Sequence, residues 1–130
     1  MVLDASALVE WLLRLPRARQ VEERLSRLDA SLHAPHLIDI EVAEVVRRLT
    51  STGAVNARRG RQALGDLTDL DLERHPHDVL LPTVWRLRDN LTAYDAAYVA
   101  LAEALDAPLL TLDARLAAAP GHEAHVEVIR

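Results

Sequence analysis

Four carboxylates sit where an α/β protein gathers its chemistry: Asp4, Glu41, Asp95 and Asp113. Asp4 closes the short apolar run Val2-Leu3, and Asp113 closes the run in "PLLTLD". Glu41 falls in the first turns of a helical pattern over 36–51, at the edge of its apolar stripe. Asp95 falls in the first turn of "LTAYDAAYVALAEALD". Two strand ends and two helix starts point to one edge of a sheet. Residues 1–13, 28–46 and 89–114 contain no arginine, and all four acids lie inside these stretches. Carboxylates gathered without cationic neighbours either take up protons or share a cation. The chain has no cysteine, which removes thiolate ligands and Cys nucleophiles. Oxygen donors alone favour a hard cation, Mg2+ with Mn2+ as a substitute.

Each acid also has an ordinary structural use. Asp4 and Asp113 suit the N-cap of the helix that follows each. Thr92 and Asp95 fit a capping box, and Glu41 suits a solvated helix position beside Glu44. Capping explains each acid singly, but it does not require all four to avoid arginine. Acids number 20 and bases 15, a formal charge of −5, and setting the four aside leaves the rest nearly balanced. Every base is arginine. That suits bidentate phosphate contacts, and it equally reflects the codon usage of a GC-rich genome.

The elements that must position the acids are legible as alternating strands and helices. Strands are predicted at 2–4, 31–35, 69–75, 108–113 and 125–129. Helices are predicted from Ala5 to a stop at Pro16, and over 17–28, 36–51, 55–67, 78–88, 91–106 and 114–119. Short continuous apolar strands imply a mostly parallel sheet covered on both faces. With 130 residues, half of them apolar, the chain reads as a single domain over 1–130. No run of about 18 apolar residues occurs and the sequence enters at once into a strand, so neither a membrane span nor a secretory leader is expected. A cytoplasmic protein follows from that expectation.

"VLDASALVEWLL", "IEVAEVVRRL", "LTAYDAAYVALAEAL" and "LLTLDARLA" together resemble the PIN-domain ribonucleases, and among them the VapC-type toxins of toxin–antitoxin pairs. The resemblance runs over essentially the whole chain in the correct order. It implies a three-layer α/β/α sandwich and Mg2+- or Mn2+-dependent cleavage of a structured RNA such as a tRNA or rRNA. The family's acids fall on Asp4, Glu41, Asp95 and Asp113, as catalytic residues and metal ligands. Its hydroxyls fall on Ser6 and Thr111, which would orient carboxylates or water. Where relatives carry a further acid after the last Asp, this chain has Arg115 and Leu116, and where many carry an amide it has Glu44. RNA phosphates would need bases on the rim, and Arg14, Arg17, Arg19, Arg86 and Arg88 are the candidates. The resemblance also implies a homodimer and a VapB-type antitoxin that inserts a basic side chain among the acids. Trp11, Leu12, Leu15 and Leu28 are candidates for those surfaces.

Three other classes were weighed on the residues. An aspartyl-phosphate phosphatase needs a second Asp where Ser6 stands and a lysine the chain lacks. A zinc site built from His33, His36, His75, His77, His122 and His125 is disfavoured by the spacing in "HPH" and "HEAH", so these are expected to be surface histidines. A non-catalytic PIN-like RNA-binding or assembly module is the alternative to the nuclease. It is disfavoured because all four acids are present.

Overall fold

The computed structural model describes residues 1–27 and 30–130; Leu28, one of the surface candidates, lies outside them with Asp29. The chain runs β1 (Val2–Leu3), α1 (Ala5–Leu12), α2 (Ala18–Ser26), β2 (Leu32–Pro35), α3 (Ile38–Ser51), α4 (Ala57–Asp69), β3 (Leu72–His75), α5 (Leu81–Arg86), α6 (Ala93–Leu105), β4 (Leu109–Thr111), α7 (Ala114–Ala118) and β5 (Val126–Val128). All five strands are parallel, in the order β3-β2-β1-β4-β5. Val2 lies opposite both His33 and Leu109, so β1 is the centre of the sheet.

That order reverses direction at β1. Right-handed crossovers then put the helices from β1 to β3 on one face and those from β3 to β5 on the other. The packing agrees. α1 packs on α2, α3 and α4, whereas α6 packs on α5 and on β1, β2 and β4. The result is a three-layer α/β/α sandwich. Its core is built from both faces of β1 and β4, the inner stripes of α1 and α3 (Leu8, Ile38, Val42, Val46), and the run Ala96–Ala102 of α6. The near-continuous burial of α6 is why its sequence is apolar almost all round.

Local signals set the helix ends. Asp4, Asn56, Thr92 and Asp113 each cap a helix through the side chain, accepting from Ala7 N, Arg59 N, Asp95 N and Arg115 N. Gly53, at φ 81°, turns the chain just past α3, a conformation that suits glycine. Several predicted boundaries differ. The strand expected from residue 69 starts at Leu72, because α4 runs on to Asp69. The helix expected over 78–88 is a 3-10 turn at Asp78–Leu80 followed by the short α5, with Pro82 near its start. α1 ends at Leu12 rather than at Pro16, because the chain already turns at Arg14, φ 54°.

Partly exposed two-pronged ion pairs lock the periphery. Arg74 on β3 holds Asp39 of α3 with both Nε and Nη2 and also donates to the Leu67 carbonyl of α4. Arg24 on α2 grips Glu127 of β5 in the same two-pronged way.

Candidate active site

The sheet's carboxyl edge at the β1/β4 switch receives the starts of α1, α3, α6 and α7. Asp4 is the N-cap of α1, Glu41 lies in the first turn of α3, Asp95 in the first turn of α6, and Asp113 is the N-cap of α7. The helix N-termini carry partial positive charge, which tempers the repulsion among the acids. The capping uses read from the sequence and the gathering of the acids at one edge are therefore the same arrangement.

Asp4 is the most firmly held of the four. It is 7% exposed. Its Oδ1 accepts from Ser6 Oγ at 2.6 Å and from Ala7 N at 3.0 Å. Its Oδ2 accepts from the hydroxyl of Thr111, itself fully buried. Each hydroxyl also accepts from the β4–α7 turn: Leu112 N donates to Ser6 Oγ and Asp113 N donates to Thr111 Oγ1, both at 2.9 Å. One carboxylate and two hydroxyls thus tie the β1–α1 turn to the β4–α7 turn. Ser6 and Thr111 direct their protons at Asp4 and fix both its oxygens.

The charges interact across the edge. Burial pushes the Asp4, Glu41 and Asp95 carboxyls up from their ordinary range. The neighbouring acids add to this, Asp113 acting on Asp4 and on Asp95, and Asp95 and Asp4 acting on Glu41. Glu41 Oε1 is buried with no hydrogen-bond partner. The Tyr98 hydroxyl lies against Glu41 without a bond of ordinary geometry, and burial, with Glu41 beside it, raises the phenol strongly. Tyr98 sits one helical turn beyond Asp95. The sequence reading counted it only as part of an apolar helix, although its i+3 spacing from Asp95 puts the two on one face.

Asp113 departs from the expectation that no arginine pairs with the acids. Arg115 donates to both its carboxylate oxygens, at 2.6 Å from Nη2 and 3.0 Å from Nε, and holds its carboxyl below the usual range. The reason is local. Asp113 caps α7 through Arg115 N, and the same turn swings the Arg115 guanidinium onto the carboxylate. Arg115 lies one residue outside the arginine-free stretch.

The acids are not closely packed. Among the described residues, no three of the four bring ligand oxygens within 4.8 Å of one another. The unpaired Glu41 Oε1, the raised carboxyls and the all-oxygen donor set fit a cation that keeps some of its own water. Mg2+ behaves this way, being bound through a few carboxylates with water retained.

The five candidate arginines are scattered. α1 is about 12 Å long, so Arg14, Arg17 and Arg19 lie beyond its far end from Asp4. They pair there with Glu22, Glu10 and Glu23. Arg86 binds Glu103 and the Gly121 carbonyl, and Arg88 stacks on Trp85 at 4.6 Å, in the segment leading to α6. Glu44 faces solvent and pairs with Arg47. Trp11, Leu12 and Leu15 pack against the core. The exposed large apolar side chains among the described residues are instead Ile40, Val79, Leu81, Trp85, Tyr94 and Leu105, of which Leu81 and Tyr94 line a cavity of about 190 Å³ between α5 and the start of α6. No helix among the described residues is long and apolar enough to cross a membrane.

The chain is similar to known proteins in sequence and in fold. A PIN domain family model matches residues 1–121. The chain is 43% identical to "Ribonuclease VapC1" of Mycobacterium tuberculosis (strain ATCC 25618 / H37Rv) over 130 residues, 99% of this chain and 97% of that protein. It is 45% identical to "Ribonuclease VapC9" of the same strain over 117 residues, 88% of this chain and 87% of that one. Among solved structures, VapBC2 from Rickettsia felis, bound to a DNA fragment from its promoter, superposes with a TM-score of 0.71. It is 14% identical and covers 99% of this chain and 98% of its own, a likeness of fold.

Proposed function

The chain belongs to the PIN-domain family, among its VapC-type ribonucleases, and from that premise we propose that it is a Mg2+-dependent endoribonuclease toxin acting on structured RNA. The observation that supports this most directly is the unpartnered, buried Glu41 Oε1 among three carboxyls raised by burial and by each other. Asp4, Glu41, Asp95 and Asp113 would hold the ion. A divalent cation bound there supplies neutralising charge and Lewis acidity for attack of water on a phosphodiester.

The chain's own groups divide the remaining work. Ser6 and Thr111 keep both Asp4 oxygens fixed, so the carboxylate needs no reorganisation when it is used. Glu41 Oε1 makes no hydrogen bond of ordinary geometry, with the Tyr98 hydroxyl beside it, and burial raises its carboxyl, so it is the group suited to take the proton of the attacking water. Arg115 neutralises Asp113 in the free protein and is within reach of a phosphate brought to the same edge. Aromatic side chains are few, so recognition rests on RNA shape and phosphate position.

A VapB-type antitoxin and a homodimer are the proposed partners, in the cytoplasm. The exposed Val79, Leu81, Trp85 and Tyr94 supply unpartnered apolar surface for such contacts. The decisive experiment is cleavage of total RNA by the purified chain, with Mg2+, with Mn2+ and with EDTA. Cleavage that needs either ion and disappears in Asp95→Asn is expected. Cleavage undiminished by EDTA, or Mn2+ that neither binds nor activates, as in a non-catalytic PIN-like module, would overturn the reading.

A further inference from the structure

Two of the six histidines read from the sequence as surface residues, His33 and His75, are brought together by strand register. β3 is an edge strand, paired in parallel with β2, with His33 opposite Glu73 and Pro35 opposite His75. Paired residues and their i+2 neighbours share a face of a sheet, so His33, Glu73 and His75 point to one side. Arg74 points to the other, where it binds Asp39. The ligand atoms of the three lie within 4.8 Å of one another. His33 Nδ1 is 2.9 Å from His75 Nε2 and 3.5 Å from Glu73 Oε2.

Those separations match the edge of a small coordination polyhedron. With metal–nitrogen and metal–oxygen bonds of about 2.0–2.2 Å, neighbouring tetrahedral ligands stand about 3.3 Å apart. A cation can therefore replace the proton between the two rings with little side-chain movement. The other nitrogen of His33 is also arranged as in a ligating histidine. Nε2 lies 2.6 Å from Ser31 Oγ, which can accept from Nε2–H and so leave Nδ1 to a cation. Burial and the nearby N-terminal ammonium favour neutral His33, the form that binds metals.

We propose that His33 Nδ1, His75 Nε2 and the Glu73 carboxylate form a site for a first-row transition cation, Zn2+ above all, that fastens the edge strand β3 to β2. It is separate from the carboxylate edge and does not depend on the nuclease reading. Donor chemistry keeps the two apart. Two imidazoles and one carboxylate select zinc, nickel or cobalt, whereas the all-oxygen edge selects magnesium or manganese. The bound ion raises stability by mass action, because it ties together strands that separate on unfolding.

The test uses the full, untagged chain, stripped of metal and titrated with Zn2+ in excess Mg2+ by calorimetry. Co2+ absorption serves as the spectroscopic probe, and circular dichroism checks each variant's fold. One Zn2+ per chain, d–d bands for Co2+ and a raised melting temperature are expected, and all persist in Asp95→Asn. His75→Ala abolishes them. Ser31→Ala weakens Zn2+ binding about tenfold by removing the outer hydrogen bond. Glu73→Gln, at an exposed position where the fold tolerates it, weakens binding while leaving the sheet intact. No Zn2+ binding by the wild type would overturn the site and leave a hydrogen-bonded histidine pair. Binding equal in wild type, His75→Ala and Glu73→Gln, or binding lost in Asp95→Asn, would overturn it by placing the zinc elsewhere.

Discussion

Thr111 has no exposed surface, and its hydroxyl serves two backbone turns at once, donating to Asp4 Oδ2 and accepting from Asp113 N. Thr111→Val keeps the shape and deletes both bonds, leaving a buried carboxylate oxygen and a buried N–H without partners. A loss of about 2–3 kcal/mol is expected in urea denaturation, together with most of the cleavage. Wild-type stability would mean that the hydroxyl does not hold Asp4. The same network separates the acids from one another. Asp4→Asn turns an amide N–H toward groups that are already donors, so it costs stability. At Asp95 burial and the Asp113 charge outweigh the Thr92 hydroxyl and raise the carboxyl, so Asp95→Asn relieves repulsion and is at worst neutral to melting. Arg115 makes a further distinction. Its guanidinium lies on Asp113, so Arg115→Ala removes a positive charge from the cation's doorstep and Mn2+ should bind several-fold more tightly, read by calorimetry. Unchanged or weaker Mn2+ binding would show that Asp113 is not among the ligands.

At the scale of elements, the acids were legible because strand ends and helix starts leave strong local marks. The "TAYD" cap, the apolar run of α6 and the Gly53 stop lie within a few residues of the features they fix. What stayed hidden depends on register or on a rotamer. His33 and His75 stand 42 residues apart and meet only because β2 and β3 pair as they do. Arg115 reaches Asp113 only through the tight turn that starts α7. Trp11, Leu12 and Leu15 are half-buried against the core, because α2, α3 and α4 pack around α1. The Arg24–Glu127 clamp likewise joins α2 to β5 across the length of the chain. Its pH dependence follows from the lowered Glu127 carboxyl, whose first cause is the hydrogen bond from Arg24. A lowered carboxyl contributes stability above its unfolded value, about 4.3, and loses it as the pH falls through the folded one. Arg24→Gln should therefore cost about 1 kcal/mol at pH 7 and almost nothing once the pH lies below both values, measured by denaturant titration. An equal penalty at both pH values would assign Arg24 to packing rather than charge.

Over the whole molecule, a −5 chain places Asp4, Glu41, Asp95 and the arginine-paired Asp113 at the one sheet edge where strand order reverses, and surrounds them with the N-termini of four helices. Several arginines are tied to acids of their own. Arg14, Arg17, Arg19 and Arg86 each pair away from that edge, and Arg74 holds Asp39 in the first turn of α3. Asp4, Glu41 and Asp95 are raised by burial at that edge without an arginine bound to them, and this is the charge the proposed cation would balance. Mn2+ titration of the metal-free chain, followed by melting temperature and by calorimetry in wild type and Asp95→Asn, tests this most directly. The account predicts that the wild type binds Mn2+ and melts higher with it, while Asp95→Asn melts no lower than the metal-free wild type and loses most of the response. Equal Mn2+ responses in the two proteins, or none in either, would contradict it.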